Sequence, residues 1–272
     1  MKVPDQSTPA DRGADEGRLP GLARRAVHAV AALGLTDVEQ IAHRLYCFHR
    51  IPWGPHWSRT LPDPTLLLAS ARGWSRPVPV HRSGGWLSLS RQGAPDEESD
   101  GDRERHEGVA PRDASGRTAF GYKLYLSPAP AAVADVLPVA AEAAARAGAV
   151  RFKVGADPVG LLRPDKIVFY VHDVTQLADL AEALTVALAG AEPHGVPFTA
   201  PLTDDGLLSW AGDPPGEERQ SWRMAVCALL ADPLSRGVAP DAALAEVTGG
   251  VVVLPDFSPA ALAPPTVLRR AA

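Results

Sequence analysis

Three short apolar runs in the middle of the chain, each carrying cations where a strand would bury its side chains, constrain the fold more than any other feature. Tyr122-Lys123-Leu124-Tyr125-Leu126-Ser127-Pro128 is followed about thirty residues later by Arg151-Phe152-Lys153-Val154-Gly155, and then by Leu162-Arg163-Pro164-Asp165-Lys166-Ile167-Val168-Phe169-Tyr170-Val171. Runs of this length, rich in β-branched and aromatic residues, predict strands. A lysine inside such a pattern loses hydration unless an acidic group meets it. Lys123 and Lys153 therefore either snorkel to a sheet edge or line a polar cavity, and a function would reside in the second arrangement.

The sequence around these runs alternates between helix and strand. Strands are expected over 120–126, 151–154 (closed by Gly155), 166–171, 207–210 and 250–255, and helices over 130–147, 174–189 and 219–230. Nearer the N-terminus, Leu22, Val27, Val30 and Leu33 recur at helical spacing. Gly34 interrupts them, and Thr36-Asp37 offers a cap for a second helix bearing Val38, Ile41 and Leu45, which makes a helical hairpin. Pro52 and Pro55 break the helix beside Trp53 and Trp57, and helical or mixed structure continues to about residue 89. The class expected is α+β: a mixed, largely antiparallel sheet flanked by helices, with a helical N-terminal part. The organisation expected is a disordered tail at 1–17, a helical subdomain at 18–90, a flexible charged loop at 91–117 and an α+β domain at 118–272.

Composition excludes several function classes. A net charge of -5 argues against nonspecific nucleic-acid binding, which needs a cationic surface, so any anion recognition is local. Cys47 and Cys227 have no CxxC partner and no histidine at metal spacing; they read as packed thiols in a reducing compartment. The polar start of the chain and the lack of a long apolar run predict a cytoplasmic protein that does not enter a membrane. There is no Walker A loop, GxSxG elbow, HExxH or His/Cys metal cluster, which disfavours nucleotide-driven and common hydrolase chemistry.

Each remaining feature has a bland reading beside the functional one. Lys153 and Lys123 can be edge residues with solvated heads; Tyr125 and Tyr170 can be cross-strand packing residues. Arg163-Pro164-Asp165 can be a turn salt bridge, and Asp204-Asp205-Gly206 a turn stabilised by side-chain to backbone bonds. Arg219 and Arg223, four apart on a helix, can be surface charges. His43, His49 and His56 read as packing or surface residues.

Lys123-Leu124-Tyr125-Leu126-Ser127, Phe152-Lys153-Val154, Arg163-Pro164-Asp165-Lys166 and Pro201-Leu202-Thr203-Asp204-Asp205 resemble the HopA1-like family, over roughly residues 118 to 230. That family includes type III effectors and lyase-type proteins of thioamitide and class V lanthipeptide pathways. More distantly, a strand lysine followed about thirty residues later by a second resembles the phosphothreonine lyases and the lyase domains of class III lanthipeptide synthetases. The resemblance implies β-elimination of phosphate from phosphoserine or phosphothreonine in a precursor peptide, leaving a dehydroamino acid. A separate kinase of the aminoglycoside-phosphotransferase-like kind would supply the phosphate, and no metal or organic cofactor is implied.

In that resemblance Lys153 is the proton-abstracting base, for which a desolvated lysine among cations is suited because its neutral form is favoured. Lys123 and Arg163 are phosphate or carbonyl ligands, Lys166 lies among the substrate-binding residues, and Arg219 with Arg223 forms a second clamp. Asp204 and Asp205 set the charge of a lysine or bind the peptide backbone. The position two after the first lysine is Tyr125 where the phosphothreonine lyases have histidine, so Tyr125, or Tyr170, would take the acid's role. The alternative from a different class is a non-catalytic module that binds a phosphopeptide or docks on another protein.

Overall fold

The computed structural model describes residues 19–70, 80–83, 85–90, 121–149, 151–212 and 221–250. The expected tail at 1–17, the charged stretch at 91–117 and Arg219 lie outside these residues. So does the strand expected at 250–255, except Gly250, which ends a helix.

Among the described residues seven strands form one sheet: β1 (Val80–Ser83), β2 (Trp86–Ser90), β3 (Tyr122–Leu126), β4 (Arg151–Gly155), β5 (Ile167–Val171), β6 (Ala200–Pro201) and β7 (Leu208–Gly212). The order is β1-β2-β4-β5-β3-β7-β6, and every pairing is antiparallel. The class is α+β, as the sequence predicts. Strands β1 and β2 fall in the stretch expected to be helical or mixed, and they extend the sheet at its β4 edge.

The register sorts side chains onto two faces, because successive residues of a strand point to opposite sides. Leu89, Phe152, Phe169, Leu124 and Trp210 align across five strands on one face. This face is apolar. Behind the strands, α5 (Val133–Arg146) and α7 (Val174–Ala187) pack on one another, α7 touches β3 and β5, and their apolar residues join the main core. Asp173 caps α7 by accepting from the backbone N–H of Gln176 at 2.8 Å.

On the other face, one row reads Ser90, Arg151, Tyr170, Lys123, Ala211 and the next reads Ser88, Lys153, Val168, Tyr125, Ser209. The cations of the sequence runs therefore share one side of the sheet.

Two helices expected near the N-terminus form as α1 (Leu19–Ala31) and α2 (Val38–Tyr46), and Asp37 accepts from the Gln40 N–H at 2.7 Å. The short helices α3 (Trp57–Thr60) and α4 (Pro64–Ser70) follow. They do not make a separate unit, because α2 packs against α8 (Trp222–Ser235) and α1 against α9 (Pro240–Gly250), both from the far end of the chain. Val27, Ile41, Leu45, Cys227, Leu230 and Leu234 close a second, smaller core there. Both cysteines are free, and burial pushes the Cys227 thiol up to about 12, so it packs as an inert apolar group. Among the described residues no helix is long and apolar enough to cross a membrane.

Between β4 and β5 lies α6 (Pro158–Leu161), capped by Asp157, whose side chain accepts from the Gly160 N–H at 2.8 Å. Gly155 and Gly160 touch so closely that a Cβ at Gly155 would stand 2.4 Å from the Gly160 carbonyl carbon, hence the glycine. This tight return delivers Arg163, Asp165 and Lys166 to the sheet.

Candidate active site on the cationic sheet face

The centre of the polar face is the Tyr170 ring. Lys123 Nζ and Lys153 Nζ each stand 5.6 Å from its centroid, and the Arg151 guanidinium stands 5.2 Å away. Register explains the meeting: Tyr170 is paired with Lys123 on one side and Arg151 on the other, and Lys153 follows Arg151 by one pleat. The negative face of a phenol ring attracts each cation and spaces like charges that would otherwise repel. Lys153 also lies over Trp86 at 4.5 Å, and so does the Arg163 guanidinium, at the same distance.

Beneath this layer sits Asp165, only 5% exposed. Arg163 grips it with a fork, Nε to Oδ1 at 2.9 Å and Nη2 to Oδ2 at 3.0 Å. The Tyr46 hydroxyl donates to Oδ2 at 3.1 Å and accepts from Arg163 Nη2 at 3.1 Å. Arg223 brings Nη1 to 2.9 Å from Oδ2, an ion pair outside hydrogen-bonding alignment. It also donates from Nε to the Pro197 carbonyl and from Nη2 to the Tyr46 carbonyl. Burial alone would raise the Asp165 pKa; Arg223 and Arg163 outweigh it and hold the carboxyl well below the ordinary carboxylate range. Burial, with Asp165 beside it, pushes the Tyr46 phenol up to about 12, so Tyr46 stays a donor.

One pleat beyond Lys153, Lys166 is fully buried. Its Nζ donates to the Pro128 carbonyl at 2.8 Å and meets His194 Nδ1 at 2.8 Å and Ser127 Oγ at 3.5 Å. His194 Nδ1 accepts, so the proton of its neutral ring is assigned to Nε2, which has no hydrogen-bond partner among the described residues. His49, in the left-handed region at φ 68°, lies tilted against the His194 ring with centroids 4.4 Å apart and donates from Nε2 to the His194 carbonyl at 2.9 Å. Burial lowers Lys166 to about 7, and burial together with the Lys166 charge lowers His194 to about 3.

These shifts fix a pH dependence. Both folded values lie below the ordinary ones, so the unfolded chain binds more protons and stability rises with pH. The Lys166 contribution is complete above about 10.5 and is lost as pH falls towards 7; that of His194 is complete above 6.5 and is lost as pH falls towards 3. Urea unfolding as a function of pH should show a slope of at most about 1.4 kcal/mol per pH unit in the alkaline window; Lys166→Met should flatten that window and, by removing the charge that helps lower His194, narrow the acid one. An unchanged slope in the variant would remove Lys166 as its source.

The structure brings together Lys123, Lys153, Tyr170, Tyr125 and Arg163 among the residues expected in a site. Tyr125 follows Lys123 on the same face but is only 3% exposed, under the region of Arg223. Arg223 is 1% exposed with its guanidinium committed to Asp165, Pro197 and Tyr46, so it supports the site from within and is no surface clamp. Lys166 shares the face by register yet is sealed in the corner just described, away from any ligand on the surface. Arg163-Pro164-Asp165 does form the turn salt bridge that was its bland reading, while the outer edge of Arg163 remains part of the face. Asp205 holds its own turn, accepting from Thr203 Oγ1 at 2.7 Å and from the Leu207 N–H at 2.9 Å, with Asp204 exposed beside it. Among the described residues, no hydrogen bond or ion pair joins either of them to the lysines.

Four contributors escaped the sequence reading: Arg151, Trp86, Tyr46 and His194. Arg151 had a signal, since it precedes Lys153 by two in a strand and so shares its face. Tyr46 and His194 had none, because their partners lie 119 and 28 residues away. Among the described residues, no three His, Cys, Asp or Glu side chains come together as a metal-binding group. What the face can do is gather an anion over Lys123, Lys153 and the outer edge of Arg163, with Arg151, 5% exposed, and the phenols of Tyr170 and Tyr125 behind them.

No family model matches the chain, and no curated protein matches it. Solved structures do, at low identity. The effector protein from Pseudomonas syringae pv. syringae strain 61 is similar with a TM-score of 0.47 and 15% identity, over 84% of this chain and 93% of that one. The type III effector/phosphothreonine lyase OspF from Shigella flexneri is similar with a TM-score of 0.38 and 14% identity, over 74% of this chain and 99% of that one. The Chromobacterium violaceum VirA (SpvC) phosphothreonine lyase effector gives a TM-score of 0.38 and 16% identity, over 75% and 97%.

Proposed function

We propose that this chain is a carbon–oxygen lyase that eliminates phosphate from phosphoserine or phosphothreonine in a peptide, leaving a dehydroamino acid. The observation that carries the reading is the gathering of Lys123, Lys153 and Arg151 around one Tyr170 ring, with Arg163 next to Lys153 across Trp86. Three cations at the surface of the face, with the buried Arg151 charge behind them, suit a dianion, and an amine among them suits a base.

The roles divide as follows. Lys153, as the neutral amine, takes the Cα proton; the electrons of that C–H bond form the Cα=Cβ double bond. The Cβ–O bond breaks, and the oxygen leaves on the phosphate with the bonding pair. Arg163 turns its outer edge to the phosphate, since its Nε and Nη2 are held by Asp165, and Lys123 faces the carbonyl oxygen on which charge grows. Tyr170, at the centre of the cations, supplies the proton to the departing phosphate, with Tyr125 behind it in the row beyond. The buried residues Asp165, Tyr46 and Arg223 hold Arg163 in place.

The substrate we assign is a precursor peptide of a ribosomal natural product of the lanthipeptide or thioamitide kind. Its phosphate must be installed before it can be eliminated, which is the work of a separate kinase of the aminoglycoside-phosphotransferase-like kind. Cytoplasmic placement accords with that partner.

A second reading, a binding module that holds phosphopeptides without reacting, is favoured by the burial of both phenols of the face, Tyr125 at 3% and Tyr170 at 8% exposed, which leaves neither hydroxyl open to a substrate. Mass spectrometry of a phosphoserine or phosphothreonine peptide incubated with the protein separates the two. Loss of about 98 Da, the mass of phosphoric acid, with release of inorganic phosphate is the expected result. An unchanged peptide that stays bound would establish the module; loss of only phosphoryl with return of the hydroxyl would mean hydrolysis.

A further inference from the structure

Lys153 and Arg163 meet on a residue that the reaction itself does not require. Lys153 Nζ and the Arg163 guanidinium carbon each lie 4.5 Å from the centroid of the Trp86 ring. The two cationic centres therefore stand no further apart than twice that distance. Three bonds separate Cα from phosphorus in a phosphoserine, a span of about 4 Å, and a base and a phosphate ligand each add roughly 3 Å of contact. Two groups serving one phosphorylated residue must then lie within about 10 Å of each other, and the Trp86 ring imposes that limit.

Trp86 opens β2, paired with Gly155 and one pleat from Ser88, which is itself paired with Lys153. The turn before it places Gly85 at φ 81° and accepts the Ala156 N–H on the Gly85 carbonyl at 2.9 Å, so the start of β2 is tied to the end of β4. Ring and base are thus fixed to neighbouring strands. Their anchoring differs, however. Arg163 has a two-point fork to Asp165, whereas Lys153 reaches its rings, Trp86 at 4.5 Å and Tyr170 at 5.6 Å, on a flexible four-carbon stem.

We propose that Trp86 is a positioning residue, whose ring holds the Lys153 amine at the spacing from Arg163 that a single phosphorylated residue spans. This rests on the lyase reading of the same face. The ring is attractive to both cations and to neither more than the other by distance. Removing it leaves phosphate recognition at Arg163 in place and takes from the base the nearer of its two rings, so the effect belongs to kcat more than to KM.

The experiment uses a side-chain series at position 86, read in two ways. In kinetics, kcat for elimination should fall in the order Trp, Phe, Leu, with Trp86→Leu lower by about 10²-fold, while KM for the phosphopeptide stays little changed. A kcat that is level across the series, or a KM that rises while kcat holds, overturns the proposal. In solution NMR, the chain has only four lysines, Lys2, Lys123, Lys153 and Lys166, so their ε-methylene signals can be told apart. The Lys153 signal, identified by its loss in Lys153→Arg, should be shifted upfield by the ring current and return towards the ordinary position in Trp86→Leu. A signal that does not move overturns the proposal whatever the kinetics show. Should Trp86→Leu fail to fold, Trp86→Phe decides both readouts, since Phe keeps a ring with weaker cation attraction. If the wild type shows no elimination, the lyase reading falls, and the proposed spacing of base and phosphate ligand falls with it; the NMR then reports only whether the ring holds Lys153.

Discussion

Lys153→Arg is expected to bind a phosphopeptide as the wild type does and to lose its elimination by about 10²- to 10⁴-fold, the share of rate that a positioned base supplies. Arginine keeps the charge and can keep the contacts over Trp86 and Tyr170, so binding has little reason to change. It cannot present a neutral nitrogen near neutral pH, because its guanidinium does not deprotonate in proteins, so the proton transfer stops. Lys153→Ala should lose elimination to the same extent and some binding besides. The difference between the two variants separates charge from basicity. Binding measured by anisotropy of a labelled phosphopeptide, and turnover measured by phosphate release, are the two readouts. Elimination that survives in Lys153→Arg would move the base elsewhere on the face, with Lys123 next in line by its 5.6 Å approach to the same ring.

The strands of the middle third were legible because a buried strand needs an unbroken apolar side, and Leu124, Phe152 and Phe169 supply it in three separate runs. Their cations were legible as anomalies. The register was not, since pairing depends on which strands meet, and only the order β2-β4-β5-β3-β7 turns Arg151, Tyr170 and Lys123 into one row. Strands β1 and β2 carry a readable sign: Gly84-Gly85 stands between two short runs, the mark of a two-residue hairpin. Treating 18–90 as a helical unit cost Trp86 its place in the site. Lys166 misled for the opposite reason. It looks like a site residue because it adjoins Asp165 in a strand-borne cationic run, yet the fold turns it into a corner with Ser127, Pro128 and His194 that no local pattern announces. Arg223, four residues from Arg219, reads as half of a phosphate clamp or as a surface charge, because a helix period does not reveal that a second core will close over one of its faces.

Asp165→Ala is expected to cost about 3 to 5 kcal/mol of stability in urea unfolding, the loss that follows when one partner of a buried ion pair is removed. The reason lies in what remains. Arg223 is 1% exposed and cannot reach water, and a guanidinium does not deprotonate in a protein, so the arginine would stay charged without its anion. The Tyr46 hydroxyl and the fork of Arg163 would lose their acceptor at the same time. Because these groups sit on α2, on α8 and on the return into β5, the damage should spread across the contact between the small helical core and the sheet. Removing the stranded charge should undo part of it: Asp165→Ala combined with Arg223→Met should be more stable than Asp165→Ala alone, a coupling of opposite sign to two independent losses. Activity should not follow stability back. Arg163 in the double variant still lacks the fork that aims its outer edge at the phosphate, so elimination should remain depressed in a protein that folds. Additive losses in the double variant would show that Arg223 is not held by Asp165, and a recovered rate would show that Arg163 needs no carboxylate behind it.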